Sequence, residues 1–401
     1  MAHPSGVRMT GPVVPHQDAI WAYLLARGYA RFSATNVLRV AAHLSRWLAA
    51  KHLSLADITS ARMDAFLRHR RSRGYTCWRS PKGLAPILAC LRSRGAVPAA
   101  EPPRPDGSAA GQLLREYATY LMQERGIVPE TAANYVGRVR PLLDAIRLAD
   151  LSKLKRLSTA MVSGFLLREV RSSSVGYAKS KATALRSFLN YLHVRGLCRD
   201  LSAAVPAVAG HGGAGLPKAL PEKDIRRLLQ SCDRRTAAGR RDFAVLLLLS
   251  RLGLRPCEVA AFELDDVLWT RGEIRMRGKG AEGILPLPHD VGKALLDYLR
   301  RGRPASTSRR LLLQTHAPYR DLGRKTVGCI VSNICLRAGL PPTGAHRLRH
   351  AAATSMLRRG ASLSEVARVL RHRSLQTTAI YAKVDRKALR SLARPWPGGV
   401  S

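Results

Sequence analysis

Two stretches poor in large side chains, AVPAAEPPRPDGSAAG at 96–111 and AAVPAVAGHGGAGLPKAL at 203–220, constrain this chain more than any other feature. Proline and small residues at that density form joints, not core. Each segment between them must therefore bury its own apolar residues. The expected division is a helical bundle at 1–100, a linker at 101–111, a second bundle at 112–202, a linker at 203–220, a larger domain at 221–385 and a tail at 386–401. Such pieces suit a chain of 401 residues, given roughly 100–200 residues per domain.

The first two segments read as the same unit written twice. IWAYLLARGY, NVLRVAAHLSRWLAA, ARMDAFLRHRR and LAPILACLRSRG carry apolar residues at three- and four-residue spacing, which predicts helices. The order returns about a hundred residues later: Arg27-Gly28 against Arg125-Gly126, Asn36 against Asn134, Phe66-Leu67 against Phe165-Leu166, and Arg94-Gly95 against Arg195-Gly196. An offset that drifts only at loops is the mark of duplication. Basic side chains in both copies, among them Arg68, Arg70, Arg71 and Arg73, then Arg138, Arg140, Lys179 and Lys181, suit phosphate contacts as well as ordinary solvated faces.

Charge points the same way. Lys plus Arg number 67 against 27 Asp plus Glu, a formal net charge of +40. A folded chain with that excess repels itself unless a polyanion is near, so nucleic acid is the expected partner. The seven cysteines, at 77, 90, 198, 232, 257, 329 and 335, contain no C-x-x-C pair and read as buried thiols of a reducing cytoplasm. No apolar run approaches a membrane span, and the first residues lack the charged start and apolar block of a signal peptide. A cytoplasmic, nucleoid-associated protein is expected.

The third segment holds the chemistry. RRDFAVLLLLSRLGLRPCEVAAF predicts a buried helix ending near Gly253, with Arg255 at a helix boundary and Glu258 one turn on. PEKD, opening at Pro221, predicts a helix with proline at its first position. The segments around 273–277 and 283–287 read as a small hairpin, with Lys279 between Gly278 and Gly280 at its tip. A lysine there can reach a DNA groove and give a proton to a leaving oxygen. Thr343 to Tyr381 then places His346, Arg349 and His350 on one helical face, followed by His372 and, nine residues later, Tyr381. Arginine and imidazole can hold and protonate a phosphate, and a phenol can attack it. No carboxylate cluster for magnesium and no P-loop is present, so neither metal nor cofactor is expected.

Together, GLRPCEV, the hairpin lysine, HRLRH and LRHRSLQTTAIYAK resemble the active-site boxes of the tyrosine recombinase, or phage integrase, family across roughly residues 216 to 385. The resemblance implies a mainly α, multidomain fold: two helical SAM-like bundles, the second being the core-binding domain, before a mixed α+β catalytic domain with a small sheet. It implies that Arg255 and Arg349 clamp the scissile phosphate and that Lys279 is the general acid. His346 and His372 would contact phosphate or move protons, Tyr381 would be the nucleophile, His350 a supporting residue and Glu258 an orienting one. It further implies duplex DNA with specific sites as substrate, a 3′-phosphotyrosine intermediate and a tetramer on DNA, serving integration, excision or transposition of a mobile element. Two departures stand out. Arg371 occupies a place usually held by glycine, where it could touch DNA, and the bundle at 19–98 is additional. A type IB topoisomerase, which relaxes one duplex, and an architectural DNA-binding protein with relic catalytic residues are the competing readings.

Overall fold

The computed structural model describes residues 3–99, 106–208, 219–277, 283–371, 378, 380 and 381, and divides the chain into two compact units, Ala100–Gly212 and Met1–Ala99 with Gly213–Ser401. The second of these contains both the first bundle and the domain after the second joint. The chain is mainly helical, with one small antiparallel sheet.

In the first bundle, α1 (Gln17–Ala26), α2 (Arg31–Ala50), α3 (Ser60–Ser72) and α4 (Pro81–Ser93) close on their own core. Val37, Leu38, Ala41, Leu44 and Leu48 recur along α2 at helical spacing and are buried with Ile20, Leu24, Phe66, Leu84 and Leu91. Thr59 starts α3 by accepting a hydrogen bond from the Arg62 amide, which satisfies one of the helix's unpaired donors. Gly28, at φ +80°, turns the chain between α1 and α2. Its carbonyl accepts a 3.0 Å hydrogen bond from the Tyr319 hydroxyl, and a Cβ there would lie 2.1 Å from the Tyr319 ring, so only glycine fits.

The unit 100–212 repeats the scheme with α5 (Ala109–Gln123), α6 (Pro129–Ala145), α7 (Thr159–Val170) and α8 (Val175–Val194). Ser108, Ser158 and Ser174 cap α5, α7 and α8 by accepting from amides three residues on. Tyr117, Phe188 and Tyr191 pack edge-on and tilted at the centre, and the Tyr117 hydroxyl donates to Ser187 at 2.9 Å.

After the second joint come α9 (Glu222–Gln230), α10 (Ala237–Ser250) and α11 (Pro256–Ala261), then the strands β1 (Val267–Leu268), β2 (Glu273–Met276) and β3 (Gly283–Pro286). They are followed by α12 (His289–Arg301), α13 (Arg324–Arg337), α14 (His346–Arg358) and α15 (Leu363–Leu370). Ala244 to Leu249 are all buried, because the C-terminal half of α10 is apolar on every side and α12, α13 and α14 pack against the helix. The sheet runs β1-β2-β3, with Ile274 opposite both Val267 and Leu285; the period of two turns these residues into the core.

Three expectations change. Pro221 caps α9 from outside instead of opening it, its ψ of 147° being extended. Of the cysteines, Cys90, Cys198, Cys232 and Cys335 are buried, but Cys77, Cys257 and Cys329 are exposed, and all seven are free thiols. Arg70 is buried against the Phe66 and Tyr75 rings and so is no phosphate ligand. Among the described residues no helix is long and apolar enough to cross a membrane.

Candidate active site

The site is built around a turn that only glycine permits. Gly253 reverses the chain between α10 and α11 at φ +61°, and a Cβ on it would fall 2.5 Å from Leu370 Cδ2 at the end of α15. That close approach brings Arg255 to the N-cap of α11 in extended conformation, with Pro256 at the first helical position. Glu258, one turn on, takes the Arg255 amide on Oε2 at 2.7 Å and the Arg255 guanidinium on Oε1 at 2.8 Å. Its Oε2 also accepts from Arg371 Nη2 at 2.7 Å. One carboxylate thus fixes two guanidinium groups, and Arg255 Nη2 points on to the Arg371 carbonyl at 3.4 Å.

Arg349, on the first turn of α14, is 5% exposed. It donates to the carbonyls of Gly253 and Leu370, tying the α10–α11 turn to the end of α15. Burial, and after it the charge of Arg255, pushes its pKa down to about 10, which leaves it protonated at neutral pH. No carboxylate among the described residues forms an ion pair with it. A buried cation whose hydrogen bonds go to carbonyls is an electrostatic invitation to an anion.

Next to it on α14, His350 Nδ1 lies 2.7 Å from the Tyr381 hydroxyl, with the two rings tilted at 5.6 Å. Tyr381 is 2% exposed and packs on Ala353, Leu357, Val366 and Leu370. Burial raises its phenol pKa, while the positive charge of Arg349 lowers it. His350 is held below the ordinary imidazole range by burial, then by His346 and Arg349. His346, at the first position of α14, is depressed by partial burial and then by Arg349, Arg255 and Arg324.

Of the residues singled out in the sequence, Arg255, Glu258, His346, Arg349, His350 and Tyr381 therefore gather at the meeting of α11, α14 and the chain after α15. Lys279 and His372 lie outside the described residues. The Arg371 backbone sits in the left-handed region at φ +53°, and its side chain pairs with Glu258. Lys181 is 1% exposed and paired with Glu169. Arg140 pairs with Asp106 at 3.1 Å, Arg138 bonds the Asn134 carbonyl and lies over the Tyr177 ring at 5.9 Å, and Lys179 is half-buried on the same helix as that ring. Sequence reasoning passed over the Gly253 and Leu370 carbonyls. Backbone acceptors carry no residue signature, though a glycine two residues before Arg255 marks the turn.

Two arginines beside a buried phenol, hydrogen-bonded to imidazole, define a catalytic domain suited to phosphoryl transfer. Residues 218–388 match the phage integrase family, and residues 114–196 match the phage integrase N-terminal SAM-like domain. The chain is 42% identical over 398 residues to the putative integrase/recombinase y4rA of Sinorhizobium fredii, covering 97% of this chain and 95% of that protein. It is 31% identical to the tyrosine recombinase XerD of Listeria monocytogenes over 70% of this chain and 96% of that one. The XerH site-specific recombinase bound to a palindromic difH substrate shares the fold at TM-score 0.55 and 18% identity, over 99% of both chains. A lambda integrase tetramer bound to a Holliday junction gives TM-score 0.55 and 17% identity over 82% of this chain and 92% of that one. This chain belongs to the phage integrase family of tyrosine recombinases, enzymes that cut and rejoin DNA at specific sites. These matches give no support to a topoisomerase or to a non-catalytic architectural protein.

Proposed function

We propose that this recombinase joins Tyr381 to a DNA phosphorus while Arg255 and Arg349 hold the nonbridging oxygens. The Tyr381 oxygen forms the new bond to phosphorus, the bond to the 5′ oxygen breaks, and a 3′-phosphotyrosine results. His350, 2.7 Å from the phenol, takes its proton, and Lys279, aided by His346 and His372, protonates the departing 5′ oxygen. Positioned donors of this kind contribute roughly 3–4 kcal/mol each, and a placed acid about 10²–10⁴-fold in rate. The covalent link keeps the phosphodiester energy, so a 5′ hydroxyl from a partner strand reverses the step. Exchange between two duplexes calls for four protomers, and a tetramer on DNA is the assembly proposed. The substrate is the end of a mobile element, held by the bundle at 112–202 through Arg138, Arg140 and Lys179, with 1–100 as a second copy of that bundle. Four helices in each, and glycines of positive φ at 28 and 126 and at 95 and 196, support the duplication. Work on DNA places the protein in the cytoplasm at the nucleoid.

The observation carrying this reading is the Tyr381 hydroxyl bonded to His350 beside a buried Arg349 that forms no ion pair with a carboxylate among the described residues. To test it, the chain is mixed with a nicked duplex pool of random sequence and SDS-resistant complexes are recovered. Wild type should yield covalent complexes and Tyr381→Phe none, with DNA binding nearly unchanged. An equal yield from both would refute the assignment.

A further inference from the structure

Resting on that reading, we infer that the connection between α3 and α4 is a second DNA-binding element, gripping duplex outside the strand-exchange core. Residues 71–82, RSRGYTCWRSPK, are exposed without interruption and carry Arg71, Arg73, Arg79 and Lys82. Between Asp64 and Glu101 the sequence has eight arginines and lysines and no acidic residue. No carboxylate among the described residues pairs with Arg73, Arg79 or Lys82. Two aromatic side chains stand among these charges, Tyr75 at 41% and Trp78 at 37% exposed.

The loop is held in shape from below. Arg70, 4% exposed, lies over the Tyr75 ring at 4.3 Å, meets His43 Nδ1 at 2.8 Å and donates to the Cys77 carbonyl at 3.3 Å. Arg71 donates to the Arg79 carbonyl at 3.0 Å, closing the loop across its base. Trp78 takes a left-handed backbone at φ +59° and packs on Gly83, where a Cβ would lie 2.9 Å from its indole. A buried cation spent on backbone and aromatic contacts, in a chain with cations to spare, serves to preorganise the segment. In the unit 100–212 the corresponding connection, between α7 and α8, spans four residues, against eight here, and carries no aromatic residue. The lengthened loop is therefore particular to the first bundle. Cations that seek phosphates, with aromatic rings to lie against sugar and base, are the chemistry of a DNA grip.

The test uses the full chain and a labelled mixed-sequence duplex of about 40 bp, titrated across roughly 50 to 300 mM salt. Removing three phosphate contacts with R73A/R79A/K82A should make the slope of log K against log salt shallower by about 2–3. Trp78→Ala should weaken binding about three- to tenfold at every salt concentration with the slope unchanged, and Trp78→Phe should recover most of it. A triple variant whose slope matches wild type overturns the inference and leaves the loop to a protein neighbour. The same preparations are assayed for the covalent complex on a duplex recovered from the random pool. An unchanged slope with the complex intact rejects only the loop, while loss of the wild-type complex rejects the catalytic reading.

Discussion

The Tyr381 hydroxyl and His350 Nδ1 are hydrogen-bonded at 2.7 Å, the phenol buried and the imidazole half-buried, and both groups resist charging there. Tyr381→Phe should cost about 1 kcal/mol of stability, the worth of one hydrogen bond, so the loss of covalent complex cannot be blamed on unfolding. Denaturant titration of the variant checks this. The depressed histidines also set a pH response. In the unfolded chain His346 and His350 titrate near about 6.5, above their folded values, so the unfolded state binds more protons as pH falls below that point. Stability should be level above this window and decline as pH drops through it. Asp57 and Asp106, near about 2, titrate too low to contribute. Urea midpoints at pH 7.5 and 5.5 should differ clearly in wild type and less in H346Q/H350Q, the remainder coming from His43, which burial also depresses. Equal differences in both proteins would exclude the histidines as the source. His346, Arg349 and His350 were legible because a three- and four-residue spacing must share a helical face. The direction of Arg371 was not, because it depends on a Glu258 carboxylate 113 residues away.

Two backbone positions decide how α10, α11, α14 and α15 meet. Arg371 ends α15 in the left-handed region, where a side chain costs about 1–2 kcal/mol, and recovers that cost through its ion pair with Glu258. Arg371→Ala keeps the strain and loses the pair, whereas Arg371→Gly loses both. Glycine should therefore be the more stable variant by about 1 kcal/mol and should form more covalent complex, since its carbonyl still meets Arg255. Thermal denaturation and complex yield compare the two, and an alanine variant equal to glycine would discount the strain. Gly253→Ala meets both a positive φ and the Leu370 side chain. It should cost about 2–3 kcal/mol and depress cleavage more than DNA affinity, because the displaced carbonyl is the one that holds Arg349. At this scale the sequence foretold element types well: a helix with the unbroken apolar run 243–249 has to be central, and alternation at 273–276 has to be a strand. It could not foretell β1, two residues long and defined only by its pairing with β2.

Across the whole chain, 67 basic residues face 27 acidic ones, and the structure shows how the shortage is managed. Glu258 pairs with Arg255 and Arg371, Asp242 with Arg241 and Arg337, Asp297 with Arg240 and Arg301, and Glu263 with Arg277 and Arg310. Each of these carboxylates serves two guanidinium groups, which leaves a surplus positive charge at Glu258, Asp242 and Asp297, whereas Asp266, 2.9 Å from Arg277, balances the cluster at Glu263. The imbalance and the two joints were plain in the sequence. The seating of Tyr319 on Gly28 was not, since a contact spanning 291 residues leaves no local pattern. This shared surplus predicts opposite responses to one variable. Without DNA, salt screens repulsion among the clusters, so raising it from about 50 to 200 mM should raise Tm by a few degrees. With DNA, the same salt competes with the protein for phosphates. If about 6–10 are neutralised per protomer, affinity should fall by on the order of 10³–10⁵ over that range. Thermal scans and binding titrations on one preparation read both. Should stability and affinity move in the same direction, or neither respond, the clusters are neutralised by other means and phosphate is not their missing partner.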